Sequence, residues 1–145
     1  MPIKAEDKAR YPADWKAISL RVRAEAGQRC EQCRAPNGEY IVRGQAWDAD
    51  TYMLRDGGEV FHSDTGEFLG ARRGSEYCAN RIVRVVLTVA HLDHNPENCE
   101  RDNLRALCQR CHLRYDKSHH AANAAATRHS RKAVADLFMP QEKGE

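Results

Sequence analysis

Apolar residues recur along the chain with two different periods. Trp15, Ile18, Val22 and Ala26 are spaced by three or four, which lays one apolar stripe along a helix from Asp14 to about Ala26. Asp14 suits its N-cap and Gly27 its C-terminal cap, while Lys16, Arg21 and Arg23 fall on other faces and Leu20 lies off the stripe. The polar residues 1–13 before it predict a loose arm. Between 36 and 80 the pattern changes. Glycines such as Gly38, Gly44, Gly66 and Gly74 punctuate short β-type runs, among them Tyr40, Ile41, Val42 and Glu59, Val60, Phe61. Asp56, Gly57, Gly58 and Asp64, Thr65, Gly66 read as turns. One or two β-hairpins are expected here, inserted into the domain, because about 45 residues make a thin core.

The strongest strand signal is 81–91, with Ile82, Val83, Val85, Val86, Leu87 and Val89. A polar loop follows over 93–102. Asp102 or Asn103 then opens a helix carrying Leu104 and Leu107, and that helix or a second one continues to about Tyr115. The stretches 121–126 and 132–138 predict a C-terminal helix, and 141–145 a polar tail. The expected organisation is one α+β domain over 14–140 containing the insertion.

Composition narrows the class. A chain of 145 residues with 41% hydrophobic and 30% charged residues and a net charge of +2 is globular, which excludes a wholly disordered chain, a collagen and a heptad rod. The most apolar stretch, 82–90, falls well short of the roughly 20 residues that span a bilayer. The first residues have no apolar core of a signal peptide. A cytoplasmic protein without membrane association, monomeric or weakly dimeric, is therefore expected. The small net charge hides an asymmetry. Residues 101–132 carry eight Lys/Arg against two Asp/Glu, or +6, and residues 36–80 carry four against eight, or −4. A segment at +6 fits either a polyanion partner or a solvated helix face. The acidic 36–80 insertion is a candidate contact for a protein partner.

Six cysteines stand out. Cys30 and Cys33 form one C-x-x-C pair and Cys108 and Cys111 a second, with 74 residues between the pairs. Four thiolates satisfy the tetrahedral preference of Zn²⁺ and leave no open position, so a structural zinc is the expected cofactor. The alternative, two unrelated pairs with one redox-active, lacks the βαβ context that such pairs have. Cys78 and Cys99 read as ordinary thiols.

Between and around these cysteines lie Val89, Ala90, His91, Leu92, Asp93, His94, then Asn103, Leu104, then Leu107, Cys108, Cys111 and His112. This constellation resembles the HNH endonucleases, the ββα-metal nucleases with flanking C-x-x-C zinc-ribbon cysteines. The likeness spans about Val85 to Arg114, with Cys30 and Cys33 upstream. It implies a metal-dependent hydrolase that cuts DNA phosphodiester bonds, one strand per site, as in phage or mobile-element systems. His91 would be the general base, Asn103 the amide that braces the loop, and His112 a ligand to a catalytic divalent ion (Mg²⁺, Mn²⁺, Ni²⁺ or Zn²⁺). An imidazole titrating near neutrality can take a proton from water. Arg105, Arg110, Arg114 and Lys117 would neutralise flanking phosphates.

One position departs from the family pattern. The residue before the base is ordinarily a second metal ligand, and here it is Ala90. Either His91 is the base and Asp93 or His94 supplies the ligand, or Asp93 and His94 form the ligand–base pair themselves. The 12-residue spacing of His91 to Asn103, against 9 for His94, favours the first. Asn103 also reads as a plain helix N-cap, and His112 as a spare zinc ligand. Two other functions stay open: a catalytically impaired zinc-ribbon module binding nucleic acid or protein, and a toxin-like nuclease acting on RNA.

Overall fold

The structure, a computed structural model, describes residues 5–138. The chain divides into two compact units, Met1–His112 and Leu113–Glu145. The first unit is a mixed α+β body. Helix α1, Trp15–Glu25, places Val22 in the core with Trp15, Ile18 and Ala26 against it, while Leu20 is exposed. The chain turns away at Gly27 and Gln28, both with left-handed backbone (φ 69° and 55°). Their N–H groups donate to Ala24 and Arg23 carbonyls and close the helix end.

Five antiparallel strands follow: β1 Tyr40–Gly44, β2 Thr51–Leu54, β3 Glu59–His62, β4 Phe68–Ala71 and β5 Ala79–Arg84. They form one sheet in the order β4-β3-β2-β1-β5. Alternation divides its side chains. Ile41 and Tyr52 join the main core, whereas Val42, Met53 and Val60 form a small second cluster with Tyr77. A separate antiparallel pair comes next, β6 Leu87–His91 and β7 Leu104–Cys108, with Leu87 opposite Cys108 and His91 opposite Leu104. Val22, Leu87, Ala90, Leu104 and Ala106 fill the space between α1 and this pair. Strand β7 runs directly into α2, Gln109–Phe138. The part of α2 in the second unit exposes residues 124–133, including Arg128, Arg131 and Lys132. No helix among the described residues is long and apolar enough to cross a membrane.

Several expectations are corrected. Residues 104–108 are a strand, not the start of a helix. Leu104, Ala106 and Cys108 alternate inward and pair with β6, and this non-local pairing overrides the helical spacing of Leu104 and Leu107. The run 81–91 is two strands in two sheets. It breaks at Val85, whose N–H donates to the Glu39 carbonyl and whose carbonyl accepts from Gly38 N–H, and at Val86, whose N–H donates to Gln109 Oε1. The insertion is a five-stranded sheet over 40–84 rather than hairpins over 36–80, because β5 returns to pair with β1. The arm 1–13 is not loose where it is described. Ala5–Arg10 forms a 3-10 turn, and Arg10 reaches Glu97 and Asn95. Asp14 occupies the N-cap without a side-chain cap bond. The tail 141–145 lies outside the described residues.

Candidate metal centre and histidine loop

Two knuckles meet at the four cysteines. In each, the second cysteine's N–H donates to the first one's sulfur: Cys33 to Cys30 and Cys111 to Cys108, both 3.5 Å. All four thiols are buried, unbridged, and have their sulfurs within 4.8 Å of one another. Cys33 Sγ and Cys108 Sγ lie 3.6 Å apart. A tetrahedral zinc with bonds of about 2.3 Å requires sulfur–sulfur edges of about 3.8 Å, so the donor set fits a structural metal such as zinc. The sulfurs also share protons unequally. Cys30 is held far below the usual thiol range, with Cys108 as its leading partner, and Cys108 is pulled down to about 6, chiefly by Cys111. Cys33 and Cys111 are pushed up, Cys108 being the leading cause for both. A divalent cation removes this conflict, because coordinated thiols deprotonate outright.

The inserted sheet buttresses this centre. Tyr52 Oη donates to the Cys33 carbonyl at 2.6 Å, and Gln32 Nε2 to the Asp64 carbonyl at 2.7 Å. Gly66 (φ 74°) lies so close to Cys33 that a Cβ would fall 2.8 Å from its carbonyl oxygen. From the second knuckle, Arg110 donates to the Ser63 carbonyl and to Asp64 Oδ1, at 2.9 and 3.0 Å.

His91 ends β6 and is buried, with 8% of its surface exposed. Trp15 stacks on its ring (4.8 Å between centroids), Tyr11 meets it edge-on (5.7 Å), and Cys99 Sγ lies 3.7 Å from its Nε2. Burial is the main cause that pushes the imidazole below its usual range; Asp93 opposes this and the charge of His112 adds to it. The loop after it is tied by side-chain amides. Asn103 Oδ1 accepts from Asp93 N–H, while its Nδ2 donates to Asp93 Oδ1 and to the Asn98 carbonyl, at 3.1, 2.9 and 2.8 Å. Asp93 also accepts from Asn95 N–H and Asn98 Nδ2. Led by the Asn98 and Asn103 bonds, these contacts lower its carboxyl to about 2. His94 sits in left-handed backbone (φ 57°) and its N–H donates to the His91 carbonyl.

Each expected site residue thus has a place. Cys30, Cys33, Cys108 and Cys111 converge. Among the described residues they are the group of three or more potential ligands that does so; Asp93, His94 and His112 form no such cluster. Asn103 is no helix N-cap, since a strand follows it, and its amide clasps the loop. Arg105 is exposed on β7, whereas Arg110 is engaged with Asp64. Arg114 and Lys117 are exposed in the second unit. Trp47 is 80% exposed. Sequence reasoning passed over Tyr11, Thr88 and Tyr52, and read Cys99, which lies against His91, as an ordinary thiol. Only Thr88 had a signal available, being placed on the His91 strand.

For a second metal ion the described residues outside the cysteine quartet form no ligand cluster. Ala90 offers no donor and the Asp93 carboxylate accepts three hydrogen bonds, while His112 Nδ1 lies 2.6 Å from Thr88 Oγ1. Comparison with protein-family models, curated proteins and solved structures yields no match to this chain.

Proposed function

We propose that the chain is a metal-dependent endonuclease of the HNH, ββα-metal type that nicks DNA, with the cysteine quartet as its structural zinc site. What supports the reading is the order of parts around His91. The histidine ends the first strand of a two-stranded pair, an asparagine amide clasps the connecting loop, and the second strand passes into a helix bearing His112. In this reading His91, kept neutral by burial, takes the proton from an attacking water. Asn103 holds the loop and so fixes where the His91 strand ends. The ion, when bound near His112, supplies charge stabilisation at the phosphate. Exposed Arg105, Arg114 and Lys117 contact flanking phosphates without reading sequence. Arg110 instead ties the second knuckle to the inserted sheet.

A second reading, a non-catalytic zinc-ribbon module that binds nucleic acid or protein, is favoured by Ala90 and by the Trp15 and Tyr11 rings covering His91. Nicking of supercoiled plasmid by the zinc-loaded protein, with Mg²⁺, Mn²⁺, Ni²⁺ or EDTA, decides between them. Metal-dependent nicking that disappears in His91→Ala is expected. Retained DNA binding without cleavage under any metal would select the second reading.

A further inference from the structure

Two aromatic rings cover His91, and they are held in different ways. Trp15 belongs to α1, whose apolar stripe packs in the core. Tyr11 belongs to the arm. Its N–H donates to the Lys8 carbonyl at 3.3 Å, so its ring travels with the 3-10 turn Ala5–Arg10, in which no residue is buried. That ring stands 5.7 Å from the His91 ring and 5.3 Å from Trp15. Arg10 fastens the arm to the loop that follows His91. Its Nε lies 3.3 Å from Glu97 Oε1, and its Nη2 donates to Asn95 Oδ1 at 3.3 Å. Arg10 and Glu97 are both exposed. Exposed ion pairs contribute little and weaken with salt.

We infer that residues 5–11 are a releasable strap over His91: Arg10 ties it to Glu97 and Asn95, and its release lifts Tyr11 from the imidazole while Trp15 stays in place. The cover rests on these contacts alone; its meaning as an autoinhibitory contact rests on the nuclease reading above. A general base must come within about 2.6–3.2 Å of the water it deprotonates. With the arm down, His91 is buried and Cys99 Sγ stands 3.7 Å from its Nε2, which leaves little surface for a water already engaged with a phosphodiester.

The test uses the full-length, zinc-loaded protein and reads His91 itself, without any activity. Diethyl pyrocarbonate acylates accessible neutral imidazoles, and peptide mass spectrometry follows each histidine, with exposed His129 as the internal reference. Arg10→Gln is expected to speed His91 modification about 2–5-fold, and Tyr11→Ala about 2–10-fold. Lys8→Gln removes the same charge from the same turn but none of the described fastenings, and is expected to leave the rate unchanged. Raising salt from about 0.01 M to about 1 M shortens the screening length from about 30 Å to about 3 Å. It should speed modification in the wild type and not in Arg10→Gln. Unchanged His91 modification in folded Arg10→Gln overturns the strap even if Tyr11→Ala fails to fold. So does equal acceleration in Lys8→Gln. Plasmid nicking is expected to rise by a similar factor in Arg10→Gln, and faster modification with unchanged nicking overturns the autoinhibitory role. Absence of nicking in every sample, with the modification rates as expected, counts against the nuclease reading alone.

Discussion

The cysteine centre and the histidine loop are built on opposite plans. At the first, four identical ligands from two distant knuckles meet in the core, and burial leaves their charges no relief except a cation. At the second, one buried imidazole is framed by aromatic rings, and the loop beside it is shaped by amide–carboxylate hydrogen bonds open to solvent. The first arrangement suits coupling of metal to folding; in the proposed nuclease the second couples side-chain placement to chemistry. Damage should therefore divide cleanly. Loss of a cysteine removes the body, and loss of a loop residue removes only what the body does.

The largest effect is expected from Cys108→Ser. Structural zinc contributes roughly 10–16 kcal/mol of binding free energy, comparable to or larger than the whole stability of an ordinary domain, about 5–15 kcal/mol. Circular dichroism and zinc content should show an unfolded or molten chain; a cooperative melt at the wild-type temperature would contradict the coupling. Next is His91→Ala, with nicking reduced about 10²–10⁴-fold and melting lowered by only a few degrees. Collapse of the fold instead would make His91 a core residue and erase the contrast.

Asn103→Ala sharpens the comparison further. It removes both partners of Asp93 on that amide and the bond to the Asn98 carbonyl, a local cost of about 1–3 kcal/mol. Amide exchange should accelerate over 92–103 and remain unchanged in β1–β5. The smallest effect concerns pH. His91 has a folded pKa below its unfolded one, so its neutral form is favoured by folding. The associated stability is complete above the unfolded value of about 6.5 and declines as pH falls toward the folded value. The acid limb of the nicking rate should accordingly lie below the ordinary histidine range. Trp15→Ala, by exposing the ring, should move that limb upward; a limb that stays in place would mean that Trp15 does not control the ring's solvation.

What was legible in the sequence follows the same division. The cysteine quartet announces itself because residue type and spacing alone define it, and α1 because Trp15, Ile18, Val22 and Ala26 repeat locally. The 104–108 strand was hidden because Leu104 and Leu107 satisfy a helix as readily, and only pairing with β6 decides. The break at Val85 and Val86 was hidden because the apolar run continues across two sheets, both of which bury part of it. That Asn103 clasps the loop was foreseen from the family likeness, but Asp93 as the hub of that loop was not. Trp15 over His91 has no local signature, since the two lie far apart in the chain.

The distance between the knuckles also sets a timetable for synthesis. At about 5–20 residues per second, the 74 residues between Cys33 and Cys108 take roughly 4–15 s to add. For that interval the nascent chain offers an incoming ion only the first of the two knuckles. Strands β1–β5 lie wholly inside the interval and can pair before the second knuckle exists. Metal capture is then the last act of assembly, locking Cys108 and Cys111 onto a sheet and a first knuckle that are already waiting.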